Sequence, residues 1–252
     1  MLQIDLNCDL GEIEGPKGEA LDAELMSYVS SINVACGGHA GGPDRIRKLI
    51  QRAVSLNVAI GAHPGYADRV NFGRIIVSMS LQEIYELVLG QVLVVAQSAK
   101  ECGGRLHHVK PHGALYNLAA TSPETAHAIA GAIRDVDPQC QVVGLSRSCL
   151  TDAATAVGLR AVHEVFADRN YLGNGTLVPR SHPNAVLHDA VQIADRAASI
   201  AETGDVLAID GTRLNLQCDT LCIHSDTSDA VLIAAEIRRV FGERTIAIRA
   251  AE

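Results

Sequence analysis

Residues 106–117 read LHHVKPHGALYN and combine a short strand with an abrupt stop. Leu106 and Val109 suit a half-buried strand. Pro111 cannot donate a hydrogen bond to a neighbouring strand, so we expect sheet pairing to end there. Gly113 then lets the chain turn away from the strand direction. The segment therefore predicts a strand whose carboxyl end opens into a tight turn.

Three titratable side chains surround this strand end. His108 and Lys110 share parity and point the same way on a regular strand, and His112 follows just after the proline. A desolvated ammonium between two imidazoles is costly unless an anion or another partner offsets it. A solvated strand end would explain any one of these residues, but the three together favour a functional site.

The first predicted strand, residues 2–8, alternates between two kinds of side chain. One face is apolar, and the other carries three polar residues, Asp5, Asn7 and Asp9. An ordinary core strand would bury such groups at a cost. In a barrel the apolar residues face the surrounding helices and the polar ones line the interior near the mouth. An edge strand with one wet face is the alternative, and the clustering of carboxylates favours the barrel.

Polar residues recur where other predicted strands end. The strands at residues 32–36, 58–62, 160–167 and 220–224 end in or lead to His39, His63, Asp168 with Arg169, and His224. In a (β/α) barrel all these positions meet at one mouth, whereas in a doubly wound open sheet only those near a switch point would meet. Further strands are predicted at residues 141–145, 205–210 and 245–248. We therefore predict a single α/β domain over residues 1–252, a (β/α) barrel in which an irregular set of seven strands is as plausible as eight.

Helices are predicted between the strands. Pro43 suits the first position of one helix, and Ser80 with Glu83 forms the capping-box pattern that opens a long one. A late helix is predicted over residues 183–202, after a loop at residues 173–180.

Composition excludes several classes of partner. The formal net charge of −8 argues against nucleic acid, whose phosphates need a basic surface. No apolar run is long enough to cross a bilayer, so no membrane partner is expected. The seven Cys show no CxxC pairing, which is typical of a reduced compartment. We expect a cytoplasmic protein.

Six blocks, taken in order along the chain, resemble the LamB/YcsF family, and a seventh resembles it more loosely. The six are residues 5–12 (DLNCDLGE), 33–41 (NVACGGHAG), 61–64 (GAHP), 108–117 (HVKPHGALYN), 166–169 (FADR) and 175–180 (GTLVPR), and the seventh is residues 222–226 (CIHSD). The resemblance implies an irregular seven-stranded barrel akin to the glycoside hydrolase/deacetylase superfamily. It also implies one component of an ATP-dependent 5-oxoprolinase, which opens 5-oxo-L-proline to L-glutamate with two partner subunits, B and C. Gly42, Gly65 and Ser225 stand where the family pattern has Asp, Ser and Gly, which leaves other lactams open as substrates.

The chemistry implied by this resemblance suggests a role for each polar residue at the strand ends. The catalytic candidates are Asp9, His39, His63, Lys110, His112 and Asp168. The candidates for substrate or phosphate binding are Asn7, Arg69, His108, Arg169 and His224. The candidate metal ligands, for Mg²⁺ accompanying ATP, are Asp5 and Asp9. In this scheme Lys110 and Arg169 neutralise phosphate or the substrate carboxylate, carboxylates hold Mg²⁺ or orient water, and histidines move protons.

Two other functions stay open. A metal-dependent deacetylase or amidohydrolase without ATP could use Asp9, His39 and His63 as a metal triad. A non-catalytic binding subunit is the third hypothesis, and so many titratable groups at one mouth disfavour it. No nucleotide-binding loop is recognisable, so part of an ATP site could lie on a partner. A homo-oligomer also stays open.

Overall fold

The computed structural model describes residues 1–227 and 229–252, and ten strands are defined within them. In chain order they are β1 (Gln3–Leu10), β2 (Ser31–Ala35), β3 (Ala59–His63), β4 (Leu106–Val109), β5 (Gln141–Leu145), β6 (Arg160–Phe166), β7 (Asp205–Leu207), β8 (Arg213–Asn215), β9 (Thr220–Ile223) and β10 (Ala247–Ile248). Every residue of β2, β5 and β9 is buried, as expected of parallel strands covered on both faces.

Seven of these strands close into a parallel barrel in the order β1, β2, β3, β4, β5, β6, β9. The ring closes because β9 pairs with both β6 and β1, so that Leu221 lies opposite Val165 on one side and Leu6 on the other. The predicted irregular seven-stranded (β/α) barrel is confirmed. One irregularity is a register shift between β3 and β4 after Ile60. It occurs at Gly61, where any Cβ would collide with the His108 ring at 2.1 Å.

Two predicted strands lie outside this ring. The strand predicted at residues 205–210 is only β7, which forms an antiparallel hairpin with β8. Val206 is its one buried residue, so β7 lacks the two covered faces of a barrel strand. The strand predicted at residues 245–248 is reduced to β10, which pairs with Gln3 and Ile4 at the start of β1.

Helices surround the barrel. They are α1 (Gly15–Leu25), α2 (Pro43–Leu56), α3 (Leu81–Glu101), α4 (Gly113–Thr121), α5 (Pro123–Val136), α6 (Cys149–Ala156), α7 (Ala190–Thr203) and α8 (Ala230–Glu243). The capping box of Ser80 and Glu83 is present at the start of α3. The prediction that α7 begins at residue 183 is wrong, because Asp189 is the residue that caps it, accepting from Gln192 N–H. Among the described helices, none has the length and apolarity needed to span a bilayer.

The barrel interior is polar along the whole of β1. Asp5, Asn7 and Asp9 are buried within it, as their alternation with apolar residues predicts. Asn7 Nδ2 donates to Glu164 at 3.0 Å and to Thr220 at 2.7 Å, across strands that lie far apart in sequence. Buried polar groups are tolerated when they find partners, and here those partners tie the strands of the ring together.

Candidate active site

A cavity of about 500 Å³ opens at the carboxyl ends of the barrel strands. This volume falls within the range of about 300–1,000 Å³ typical of small-ligand sites. It is lined by ionisable residues from the ends of five strands and the loops that follow them: Asp9, Glu12, His63, Arg74, Lys110, His112, Arg169, Arg180, His224 and Asp226. Apolar side chains complete the wall, among them Ala114, Leu145, Phe166, Leu172 and Leu177. The polar strand ends therefore meet at one mouth.

Lys110 lies at the centre of a buried charge cluster. Its Nζ is 2.8 Å from Glu164 Oε1 and 3.1 Å from Asp9 Oδ1. It also lies 3.3 Å from Asn7 Oδ1 and 3.1 Å from Cys222 Sγ. Burial alone would lower the pKa of Lys110, but the charge of Asp9 is the largest of several opposing effects, and the pKa is raised well above its usual value. Two carboxylates thus supply the anions that a buried ammonium requires.

Four side chains beside Lys110 form what we call the His–Glu cluster: Glu12, His39, His63 and His112, all buried. Glu12 Oε1 lies 2.9 Å from His39 Nε2, 3.1 Å from His112 Nδ1 and 3.7 Å from His63 Nε2. The distance from His63 Nε2 to His112 Nδ1 is 3.0 Å. The rings of His39 and His112 stack with centroids 3.6 Å apart and planes at 3°.

Backbone carbonyls occupy the outer nitrogens of two of these histidines. His63 Nδ1 lies 2.7 Å from the carbonyl oxygen of Lys110, and His112 Nε2 lies 2.8 Å from that of Phe72. A carbonyl oxygen only accepts, so each outer nitrogen carries a proton and donates it. His39 Nδ1, in contrast, is buried without a hydrogen-bond partner among the described residues.

The carboxylates of this region are held in their ionised form. Burial would raise the pKa of Glu12, but hydrogen bonds from His112 and His39 outweigh it and hold the pKa well below its usual value. Burial would likewise raise the pKa of Asp9, and the charges of His63 and Lys110 hold it well below its usual value. For His39 burial wins over the bond to Glu12 and lowers the pKa to about 4. This region thus places two anionic carboxylates, Asp9 and Glu12, beside the neutral imidazole of His39.

Asp168 and His224 form a pair at another side of the cavity. His224 Nδ1 lies 2.8 Å from Asp168 Oδ2, and its ring stacks on Phe166 at 5.3 Å between centroids. Burial would raise the pKa of Asp168, but the charge of His224 outweighs it and the pKa is lowered. Because Nδ1 is engaged by the carboxylate, Nε2 is the ring nitrogen left for a ligand in the cavity.

Three arginines give part of the cavity a positive charge. Arg74 pairs with Asp226, and Arg169 and Arg180 lie on the loop after β6. Arg169 donates to the carbonyl oxygen of Val178 at 2.7 Å, which fixes its position. Burial, followed by the charge of Arg180, lowers the pKa of Arg169 to about 10. Guanidinium groups placed in this way suit carboxylate or phosphate.

Three predicted binding residues do not line the cavity. Asn7 and His108 lie deeper in the barrel, where His108 Nε2 is 2.8 Å from Asn33 Oδ1. Arg69 is half exposed and donates to the carbonyl oxygens of Gly37 and Gly41. The structure therefore gives Arg69 a role in holding the glycine-rich loop after β2, away from the cavity.

The two predicted metal ligands, Asp5 and Asp9, lie too far apart to bind the same ion. The two residues are four positions apart on β1, roughly 13 Å at the usual rise of a strand. Asp5 accepts hydrogen bonds from Ser30, Ser31 and Thr220 at 2.6–2.7 Å. Because a strand is nearly fully extended, one ion cannot bind both carboxylates.

Sequence reasoning missed several residues of the site. Glu12 belongs to the His–Glu cluster but was not among the predicted site residues. It lies in the same motif, DLGE, as the predicted residue Asp9. Glu164 is fully buried and accepts from the Tyr116 hydroxyl at 2.7 Å. A lone acidic residue inside the apolar strand RAVHEVF is the signal that could have revealed Glu164, because an unpaired charge there would be prohibitive.

Comparison with known proteins gives matches over nearly the whole chain. The sequence model described as LamB/YcsF family matches residues 4–252. A Bordetella parapertussis protein, named as the A subunit of 5-oxoprolinase, is 46% identical over 98% of both chains. The Brevibacillus brevis protein of the same name is 46% identical over 99% of this chain and 98% of its own. The crystal structure of a lactam utilization protein from Thermus thermophilus superimposes with a TM-score of 0.92 at 40% identity, covering 99% of this chain and all of that one.

Proposed function

Because the chain belongs to the LamB/YcsF family, we propose that it is one component of a 5-oxoprolinase that opens 5-oxo-L-proline to L-glutamate at the expense of ATP. The observation that carries this proposal is the 46% identity, over 98% of both chains, with a relative named as the A subunit of 5-oxoprolinase. The name of the Thermus protein, lactam utilization protein, points to the same class of ring.

The charges of the cavity suit an anionic lactam. The substrate carries a carboxylate beside the ring, and an arginine presents paired N–H donors that match a carboxylate. Arg169 and Arg180 are the cavity arginines best placed for this role, because Arg74 is already paired with Asp226. Lys110 is less suited to the phosphate or carboxylate role predicted from sequence, since Asp9 and Glu164 already neutralise it.

Opening the ring requires a proton for the departing nitrogen. The Asp168–His224 pair can deliver one, since the carboxylate orients the imidazole and stabilises its charged form. His224 borders the cavity and Asp168 lies behind it. We therefore assign His224 as the group that protonates the lactam nitrogen and Asp168 as the residue that positions it.

ATP would supply a phosphoryl group that activates the unreactive lactam carbonyl. The arginines of the cavity suit its phosphates, but the described residues that line the cavity offer Mg²⁺ no matching set of oxygens. The carboxylates among them are Asp9, Glu12 and Asp226, paired with Lys110, histidines and Arg74 respectively. Mg²⁺ prefers six oxygen ligands, so we propose that it arrives on ATP and not through a site built by this chain.

We also propose that the reaction needs subunits B and C and takes place in the cytoplasm. The support is the word subunit in the relatives' names and the reduced state expected of the cysteines. The wide polar mouth, bordered by the loops after β3 and β6, is where a partner could complete an ATP site.

A reconstitution assay tests the proposal. We expect glutamate release from 5-oxoproline and Mg-ATP only when this chain, B and C are all present. Release by B and C at the same rate without this chain would overturn it. His224→Asn should lower turnover about 10²–10⁴-fold, whereas the matched change His127→Asn on the exposed face of α5 should not.

A metal-dependent hydrolase is the second candidate function, and the His–Glu cluster is the observation that favours it. Release of acetate from an N-acetylated sugar by this chain alone, without ATP and abolished by a chelator, would establish it. Under the 5-oxoprolinase proposal no acetate is released.

A further inference from the structure

The outer face of α3, the longest of the described helices, is apolar at its centre. The inner face packs on the barrel through Ile84, Val88, Val92, Val95 and Ala99, all of them buried. On the solvent side, the middle of the helix carries Leu93 and Val94, which are 47% and 45% exposed. A helix on the outside of a globular protein usually has charged or polar residues on that side. Adjacent apolar side chains there indicate a surface that another protein covers.

Gly90 lies on the same exposed face, at a point where this chain does not itself require glycine. A glycine inside a helix destabilises it relative to alanine. No described residue beyond the helix itself lies within 4 Å of the position that a Cβ of residue 90 would take. A close approach within the chain therefore does not explain the glycine. Its missing side chain leaves a notch beside Leu93, which suits the close approach of a second protein surface.

The exposed residues of α3 repeat with the spacing of a coiled-coil seam. Six exposed residues, which we call the α3 seam, follow one another at alternating steps of three and four positions: Glu83, Glu86, Gly90, Leu93, Gln97 and Lys100. This spacing keeps one face of a helix against a partner helix over its whole length. The two ends of the seam carry opposite charges, with carboxylates at the start and an ammonium at the end.

We infer that the α3 seam is the contact between two copies of this chain, packed antiparallel about a two-fold axis that crosses α3 between Gln91 and Val92. A two-fold axis makes such a contact self-complementary, because the same surface serves both copies. In this register Gly90 faces Leu93 of the second copy, Glu86 faces Gln97, and Glu83 faces Lys100. The leucine of each copy enters the notch of the other, and opposite charges meet at both ends. A parallel pair would instead place like charges together, Glu83 against Glu83 and Lys100 against Lys100.

The surroundings of the seam fit this pairing. The backbone N–H and the hydroxyl of Ser80 both donate to Oε2 of Glu83. Oxygen Oε1 can therefore accept from Lys100 of the second copy without loss of the helix cap. Towards α5 the seam borders a surface groove whose apolar lining is Leu81, Tyr85, Pro123 and Ala128. Glu124 also lines this groove and adds a second anion near the position of that ammonium.

The antiparallel arrangement leaves both cavities open. Helix α3 begins after β3, whose carboxyl end is at the mouth, and leads back to the start of β4 at the floor. Two antiparallel copies of α3 therefore direct the two mouths in opposite directions. A dimer of this kind is compatible with further subunits at each mouth. It is a property of this chain alone and does not depend on the lactam reaction.

Sedimentation velocity of the purified full chain tests the inference. We expect the mass of two chains at micromolar concentration. Gly90→Gln and Leu93→Glu should each give the mass of one chain, because the first fills the notch and the second brings carboxylates together across the two-fold axis. Gly90→Gln should fold, since its Cβ meets open space. The matched control Leu232→Glu, at a leucine of α8 that is 58% exposed, should keep the mass of two chains.

A charge reversal tests the register. Lys100→Glu turns attraction into repulsion at both ends of the seam and should weaken association roughly 10-fold. Lys17→Glu, on the exposed side of α1, changes the net charge equally and should have no such effect. Unchanged association of folded Lys100→Glu would overturn the antiparallel register.

Two results would overturn the interface itself. One is wild-type protein with the mass of one chain throughout the micromolar range. The other is a two-chain mass that persists in folded Gly90→Gln, because a dimer formed elsewhere on the surface would not respond to the notch. Circular dichroism confirms the fold of each variant, and Gly90→Gln decides the question if Leu93→Glu does not fold.

Discussion

Asp5 and Asp9 lie on the same face of β1, both buried, yet the two ends of the barrel surround them with opposite chemistry. At the closed floor, Asp5 accepts from three hydroxyl groups, those of Ser30, Ser31 and Thr220. At the mouth, Asp9 meets a buried ammonium and an imidazole, Lys110 at 3.1 Å and His63 at 3.5 Å.

The pKa values of the two carboxyl groups diverge accordingly. Burial raises the pKa of Asp5, because hydroxyl donors only partly offset the loss of water. Burial has the same effect on Asp9, but cations outweigh it and the pKa falls well below its usual value. The comparison shows that the floor is a hydrogen-bonded layer that holds the strands together. The mouth instead concentrates paired charges beside the cavity.

The largest effect on stability is expected from removing the buried ammonium group of Lys110. Lys110→Met leaves Glu164 and Asp9 buried without their ammonium, and we expect a loss of about 3–5 kcal/mol in the free energy of unfolding. Urea denaturation measures it. Adding Glu164→Gln to the same chain should recover part of the loss. The exposed control Lys48→Met should cost less than about 1 kcal/mol. Equal losses for Lys110→Met and Lys48→Met would contradict the charge-cluster description.

A smaller effect is expected at the floor. Thr220→Val keeps the shape of the side chain but removes the donor to Asp5 and the acceptor for Asn7, at 2.6 and 2.7 Å. We expect a loss of about 1–3 kcal/mol in urea denaturation. Turnover of the reconstituted complex should be unchanged. If turnover by folded Thr220→Val fell, the two ends of the barrel would not be independent.

The smallest effect is a change in how the free energy of unfolding depends on pH. Since the pKa of Asp5 is raised above 3.8, the folded protein binds this proton more tightly than the unfolded chain, and stability falls as pH rises above about 3.8. For Asp9, whose pKa is lowered, the sign is reversed, and its contribution is lost only as pH falls below 3.8. Asp5→Asn should therefore gain stability relative to wild type as the pH rises above about 3.8.

Unfolding free energies at several pH values measure this difference. The exposed replacement Asp44→Asn, at the start of α2, is the matched control. A difference between wild type and Asp5→Asn that stays constant with pH would show that Asp5 is ionised at the floor as readily as in the unfolded chain.

Local sequence patterns predicted the barrel because most of its strands are short apolar runs that end in polar or turn residues. The strand predicted at residues 141–145 coincides with β5, where an apolar run lies between a turn at residues 138–139 and α6. The start of α7 could not be predicted in this way, because Pro183 and Asp189 are both good starting residues. The helix begins after Asp189, whose side chain accepts from Gln192 N–H.

The site was predictable only in part, because its partners are remote in sequence. His63 and His112 could be recognised as strand-end residues. The contact of Asn7 with Glu164, 157 residues away, exists only once the ring is closed. The position of Glu12 among the three histidines likewise depends on the conformation of the loop after β1, which the local sequence does not reveal.

Closure of the ring by β9 has a consequence for how the protein is made. β1 leaves the ribosome well before its partner, because Thr220 follows Asp5 by 215 residues. Domains complete folding only when their last element is available, and such distant pairing is slow to form. During translation one edge of β1 stays unpaired, with Leu6 and Cys8 awaiting burial. We therefore expect ribosome-associated chaperones to bind nascent chains of this protein until residue 223 has emerged.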